Sequence, residues 1–438
     1  MPNPYLPNWE YIPDGEPRVF GDRVYIYGSH DRAGSDAFCD HCLKVWSAPV
    51  DDLENWTCHG EIFRTADAPY HPSDTDWTDG PLYAPDVVEK NGEYYLYSYI
   101  FGAKGCVAVS SRPEGPFELL AQYDYGIPDD CCCNGWFIDP GVLVDDDGRV
   151  YLSWGFEKSY GIELDENMYT TKDDTLVTDI IPVEKPFGFF EACSMRKIGS
   201  TYYMIYSGTP GSCLCYATSD KPLGPYIYRG VIINNGKDYP DGNNHGSIVN
   251  INGQWYIFYH RMTNGTIMSR RGCVERIEIL EDGSIPEVEM TSLGFSESLD
   301  PYEITPAEIA CVLTGGAIIT ERDIFTRTVT NITEGCVIGY KYFDFGEDES
   351  GTPLTIHIRT RGNGSRSRIK IYLDSVEDNM PLGVCEAGTG DGIWTAELPP
   401  VTGRHAVFFA VEDAAGGWFR DQFKGRHRFE FEEFVFTK

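Results

Sequence analysis

Five residues of catalytic type stand at matching places in this chain: Asp14, Asp86, Asp139, Glu191 and His245. Each lies a few positions ahead of a glycine or Asp-Gly turn that runs into an aromatic-rich strand, the turn glycines being Gly21, Gly92, Gly148, Gly199 and Gly253. Cleaving a glycosidic bond needs one carboxylic acid to protonate the leaving oxygen and one carboxylate to activate water or attack the sugar. Asp14 and Glu191 offer that pair. A third carboxylate, Asp139, would raise the pKa of the acid by like-charge repulsion and keep it protonated near neutrality. Taken singly, each has an ordinary reading as a turn former, a strand end before Pro140 or an exposed carboxylate. Equivalent placement in a repeat argues for a shared site, because chance surface acids should not follow the repeat.

The elements that must position these residues follow from the same segments, which recur at spacings of roughly 50 to 70 residues. They are PDGEPRVFGDRVYIYGS from Pro13, APDVVEKNGEYYLYS from Ala84, IDPGVLVDDDGRVYLSWG from Ile138, FEACSMRKIGSTYYMIYS from Phe190 and NNHGSIVNINGQWYIFYH from Asn243. Alternating aromatics after a glycine turn make each unit a β-hairpin. Five units predict a five-bladed β-propeller, in which the innermost strands run along a central channel and equivalent positions converge at one end of the axis. Sequence-distant acids then become neighbours.

Asp86 in YAPD shares the register, and reads equally as a strand-start residue or a substrate ligand. His245 in NNHGS reads as a core histidine, a hydrogen-bond donor to substrate, or a ligand to a central cation through water. Trp77, Tyr83 and Trp136 could each stack on a sugar face or simply pack in a core. The run CDHC from Cys39 to Cys42, with Cys58 and His59 further on, has metal-ligand chemistry but only one CxxC, so ordinary thiols at a blade edge are the favoured reading over zinc. No serine nucleophile elbow and no phosphate-cradling glycine loop occurs, which removes serine-hydrolase and nucleotide readings.

The whole chain of 438 residues exceeds what one core usually supports, and 28 Tyr, 46 Gly and 27 Pro suit short strands and tight turns. The class is all-β: a five-bladed propeller followed by a β-sandwich of jelly-roll type. Domains are expected at 1–298 for the propeller, 299–315 for a linker and 316–438 for the sandwich, where the repeat gives way to short alternating runs such as LTIHIRTR and RIKIYLD. A formal charge of −33 disfavours nucleic acid and anionic membranes as partners. The fourteen cysteines include clusters awkward for orderly pairing, so free thiols and a cytoplasmic location are expected, with secretion the alternative if a leader was removed.

These five motifs, in this order over about residues 3 to 290, resemble glycoside hydrolase family 43, whose members are five-bladed propellers acting mostly on pentose-containing glycans. The resemblance implies that Asp14 is the general base, Glu191 the general acid, and Asp139 the residue that orients the acid and tunes its pKa. It implies inversion at the anomeric carbon, with carboxyls roughly 6.5 to 9.5 Å apart. His245 matches the family's axial histidine, which often sits beside a bound calcium or water; no cofactor is required, and a structural Ca2+ in the channel is the one metal implied. The motif IPDGEP and the segment EACS depart from commoner family patterns, which bears on subfamily and substrate. The C-terminal strands are similar to a family 6 carbohydrate-binding module, where Trp394 or Trp418 could serve as a sugar platform. The expected activity is exo-acting release of α-L-arabinofuranosyl or β-D-xylosyl units from oligosaccharides. A retaining fructan or sucrose hydrolase of the related five-bladed group and a non-catalytic glycan-binding propeller are the alternatives.

Overall fold

The computed structural model describes residues 1–103, 105–122, 137–347, 351–377, 380–414 and 425–438. Among them the chain is nearly all strand, with two single-turn 3-10 helices and no helix long and apolar enough to cross a membrane. Five antiparallel sheets follow one another along residues 16–277, and in each the chain order of the strands is also their spatial order. In the first sheet these are Glu16–Phe20, Arg23–Gly28, Cys42–Pro49 and Thr57–Arg64. Such meandering sheets need only tight turns, and the left-handed φ values of Gly21, Gly92, Gly148, Gly199 and Gly253 provide them at the first hairpin of every sheet.

The first strands of the five sheets, Glu16–Phe20, Leu82–Lys90, Gly141–Val144, Phe189–Ile198 and Ile248–Ile251, face one another around an axis. A parallel bridge from Gly15 to Gly246 closes the ring between the first and fifth sheets. Two arginines, Arg196 buried and Arg18 largely so, stitch the ring from inside. Arg18 forks onto both oxygens of Asp86 and donates to the Val142 carbonyl, while Arg196 reaches Glu16, the Pro17 carbonyl and the Ile248 carbonyl. Apolar layers between adjacent sheets carry the packing, as where Val88 and Tyr97 of the second sheet meet Val142 and Leu152 of the third. Close approach has a local cause at Gly141, where a Cβ would lie 2.1 Å from the Cys193 carbonyl oxygen.

The C-terminal part forms two packed sheets, one of six strands and one of five, with Phe409, Phe431, Phe434 and Phe436 in the layer between them. The segment 299–315, read above as a linker, carries strands of its own. Thr305–Pro306 pairs with Phe429–Thr437, and Val312–Leu313 pairs with Val337–Asp344, so the sandwich begins before residue 316. Alternation was too short there to signal a strand: two residues give no period. One continuous apolar cluster runs from Tyr203, Ile257 and Cys273 of the propeller to Ile319 and Tyr340 of the sandwich. At this junction Arg261 donates to the carbonyls of Glu308 and Ala310. Arg327 holds the Tyr11 hydroxyl, which donates to Glu321.

Candidate active site

The top of the ring is built by a repeated backbone irregularity. Asp14, Asp139 and Ala192 take left-handed φ values of 56°, 52° and 66°, and so does Ala84 at 36°. Non-glycine residues rarely hold that conformation, and it persists where the surrounding structure enforces it. Here it lies at the start of the inner strand in four of the five sheets, and turns side chains toward the mouth of the channel. The inner strand bearing Glu191 is bulged on both sides of that residue.

Asp14, Asp139 and Glu191 line a cavity of about 160 Å³, together with His245, Asn243, Tyr83, Phe38, Cys39 and Arg270. Pockets for drug-sized ligands span roughly 300–1,000 Å³. The cavity therefore suits one sugar ring rather than a stretch of polysaccharide. A larger cleft of 500 Å³ at the junction of the two domains contains Glu275, whose carboxyl burial pushes up to about 7. Glu275 accepts hydrogen bonds from Asn3, Tyr259 and the Thr291 N–H on Oε1 and from the Thr291 hydroxyl on Oε2, so it is engaged in holding the junction together.

Asp14 is the most heavily supported of the three acids. Its Oδ2 accepts from Ser29 at 2.6 Å and its Oδ1 from Arg270 Nη1 at 2.8 Å. Burial alone would raise its pKa, but the Arg270 charge, with the Ser29 hydrogen bond, holds the carboxyl below the usual range. Asp14 stays ionised. His260 is fully buried beneath it: the Asp14 backbone N–H donates to Nδ1 at 3.2 Å, so Nε2 carries the proton toward the Asn243 oxygens at 3.1 Å. Burial and the nearby Arg270 depress the His260 pKa to about 3, which keeps the ring neutral.

Glu191 behaves oppositely. Burial and the charge on Asp14 push its carboxyl up to about 7, against a smaller opposing pull from Arg270. Asp139 is raised well above the ordinary range, first by burial and then by Glu191 and Asp14. Two such carboxyls share protons as a unit and titrate together. The Ala192 backbone N–H bonds the Asp139 carboxylate, tying Asp139 to the residue after Glu191. His245 Nδ1 lies 3.7 Å from Asp139 and 3.8 Å from Asp14, and burial lowers its pKa, so the imidazole is neutral among the acids.

Asp86 is not part of this group. It pairs with Arg18 and accepts from the Val142 N–H, deeper between the blades, and Tyr83 occupies the cavity in its place. Counting back from the turn glycines explains the difference. Asp14, Asp139, Glu191 and His245 precede theirs by seven, nine, eight and eight residues (21 − 14, 148 − 139, 199 − 191, 253 − 245), whereas Asp86 precedes Gly92 by six (92 − 86) and Tyr83 by nine (92 − 83). Trp77 packs with the cluster shared by the first two sheets and does not line the cavity. Trp136 lies outside the described residues, as does Trp418.

A calcium ion beside His245 would need several oxygen ligands. The channel carboxylates Glu16 and Asp86 are already neutralised by Arg196 and Arg18. Neither of these two is therefore free to serve as a calcium ligand. The CDHC run divides: Cys39 faces the cavity with Arg270 Nη2 at 3.3 Å, while Cys42 starts the third strand of the first sheet. Cys58 is exposed and His59 bonds Ser47, so neither joins the run. No disulfide occurs among the described residues.

Sequence reasoning missed Ser29, which ends the first repeat directly after its second strand, and Asp31 and Arg270, which lie outside the repeated segments. A signal was present in SRRG from Ser269: two adjacent arginines within a strand point to opposite faces, so both sides must supply partners. Arg270 finds Asp14 and Asp31; Arg271 finds Asn8 and the Leu6 carbonyl.

Comparison with known proteins places this geometry. The model of Glycosyl hydrolases family 43 matches residues 6–285. The chain is 40% identical to a xylosidase/arabinosidase of Thermoclostridium stercorarium, over 93% of its own length and 95% of the relative's. It is 27% identical to an arabinoxylan arabinofuranohydrolase of Bacillus subtilis (strain 168), over 91% of its length and 87% of the relative's. Among solved structures, an arabinoxylan arabinofuranohydrolase from Bacillus subtilis in complex with cellotetraose aligns over 100% of this chain and 97% of that one, with a TM-score of 0.56 and 25% identity. The ordered acids around one small cavity, on a propeller whose family model spans most of the first domain, make this chain a member of glycoside hydrolase family 43.

Proposed function

We propose that the enzyme is an inverting, exo-acting glycosidase that releases α-L-arabinofuranosyl or β-D-xylosyl units from oligosaccharides. One observation carries this reading: within a single small cavity, Asp14 is held ionised by Arg270 while Glu191 is held protonated up to about 7. Environments that drive two carboxyls apart assign them as base and acid. Asp14 activates water. Glu191 protonates the leaving oxygen, its proton retained by burial and by the charge on Asp14 rather than by repulsion from Asp139, which is itself raised and anchors the Ala192 backbone. Neutral His245 hydrogen-bonds the sugar, and Tyr83 packs against its face.

The confined cavity supports exo action, since a chain interior would not fit. The naming of the Thermoclostridium relative as a xylosidase/arabinosidase, over nearly the full length of both chains, supports the pentose assignment. A structural neighbour bound to xylotriose supports an oligosaccharide substrate. The test is an activity screen on aryl α-L-arabinofuranoside and β-D-xyloside, with NMR of the first-formed sugar. Release of the inverted anomer is expected. A retained anomer overturns the roles, and no turnover of any aryl glycoside or oligosaccharide overturns catalysis itself.

A further inference from the structure

The loop between the second and third strands of the first sheet is closed at its base by three side chains whose donor atoms cluster. His30 Nδ1 lies 3.4 Å from Asp40 Oδ2 and 3.7 Å from Cys42 Sγ, and that sulfur lies 3.9 Å from Asp40 Oδ2. Zinc bonds to N, O and S are about 2.0–2.3 Å, so a tetrahedral ion separates its ligand atoms by about 3.4–3.6 Å. The observed triangle is within a few tenths of an ångström of that. We propose that His30, Asp40 and Cys42 bind a zinc ion, with a fourth position open to water.

The outer partners are those a zinc site uses. Glu10 Oε1 lies 3.1 Å from His30 Nε2, so an imidazole bound through Nδ1 donates its remaining N–H to a carboxylate. Glu10 is itself fixed by the Trp46 indole N–H at 3.0 Å. Lys44 Nζ stands 2.9 Å from His30 Nε2 and 3.5 Å from Glu10; because an ammonium only donates, it would shift from the ring onto Glu10 when metal at Nδ1 leaves the proton on Nε2. Asp40 Oδ1 accepts the His41 N–H at 2.8 Å, with Arg32 at 3.9 Å, which leaves Oδ2 turned toward the site. A thiolate, an imidazole and a carboxylate form a borderline-soft set that selects zinc over calcium or magnesium.

The site would serve catalysis by fixing a wall of the cavity. Within the loop it closes, Asp31 pairs with Arg270, Phe38 lies under the Arg270 guanidinium at 4.9 Å, and Cys39 lines the cavity. The inference stands on the loop alone and holds whichever sugar the enzyme cleaves.

The test is metal analysis of the full chain after incubation with equimolar zinc and desalting, with cobalt substitution of the same protein. One zinc per chain is expected, and the cobalt protein should show a thiolate-to-cobalt charge-transfer band in the near ultraviolet. Cys42→Ser and His30→Gln should lose stoichiometric zinc, Cys58→Ser should keep it, and Glu10→Gln should weaken binding by roughly 10- to 100-fold. The cobalt spectrum of the unmutated protein guards against variants that misfold. Absence of stoichiometric zinc, a cobalt spectrum without a thiolate band, or stoichiometric zinc that survives Cys42→Ser would each overturn the site.

Discussion

Arg270 holds two carboxylates with one guanidinium, donating to Asp14 Oδ1 at 2.8 Å through Nη1 and to the two oxygens of Asp31 through Nε and Nη2 at 2.9 and 3.0 Å. The fork fixes Asp14 from the side opposite Ser29 and sets its charge. Arg270→Lys keeps a cation but loses the planar fork. The acid limb of the kcat/KM profile should move to higher pH as Asp14 loses its stabilising partner, with kcat/KM at the optimum lower by roughly 10- to 100-fold from misplacement. A profile unchanged from the parent's counts against Asp14 as the base.

With Glu191 as the proposed acid, the alkaline limb should follow its titration. Its pKa of about 7 means that the acid is protonated below neutrality and loses its proton as pH rises through 7, so the rate should fall there. Glu191→Gln should lower kcat by about 10²- to 10⁴-fold on oligosaccharides, whose leaving groups need a proton, and by less on a nitrophenyl glycoside. An equal loss on both substrates would remove the acid role.

The raised pKa also affects stability, with a definite sign. A carboxyl that binds its proton more tightly folded than unfolded stabilises the fold while both states are protonated; that contribution is lost as pH rises from the ordinary carboxylate value, 4.5, to about 7. Glu191→Gln, which cannot ionise, should therefore melt higher than the parent at pH 8 and close to it at pH 4. Thermal melts at the two pH values decide this.

Asp86→Asn separates architecture from chemistry. Removing the charge that pairs with the buried Arg18 should cost on the order of 3–5 kcal/mol, seen as a lower melting temperature. KM and kcat per folded molecule should stay near the parent's, because Asp86 does not line the cavity. A selective rise in KM with unchanged stability would return Asp86 to the binding site.

Tyr11 links the sandwich to the segment that presents Asp14, and the two domains share one apolar cluster. Calorimetry should therefore show one cooperative unfolding transition for both domains. Truncation after residue 298 exposes the propeller half of that cluster and should yield insoluble protein. Two separate transitions, or an active soluble propeller, would make the sandwich an independent module.

How much of this was legible beforehand depends on the range of the interaction. The all-β class, the inner strands and the convergence of Asp14, Asp139, Glu191 and His245 follow from local patterns: a glycine turn with positive φ, an aromatic alternation, and an acid at nearly fixed distance from it. The same register, counted residue by residue, would have removed Asp86 and kept Tyr83. Strands of two residues, such as Thr305–Pro306, left no period to find.

The order of acids along the chain was thus determined by the sequence alone, because backbone periodicity is a local property. Which acid keeps its proton was decided only in three dimensions. The Asp14 charge depends on Arg270, 256 residues away, and the Glu191 proton on burial and on Asp14 across the channel. Electrostatic energy varies with distance and surroundings in space. Side chains remote along the chain therefore set the chemistry, and only the closed ring of strands brings them within reach of one another.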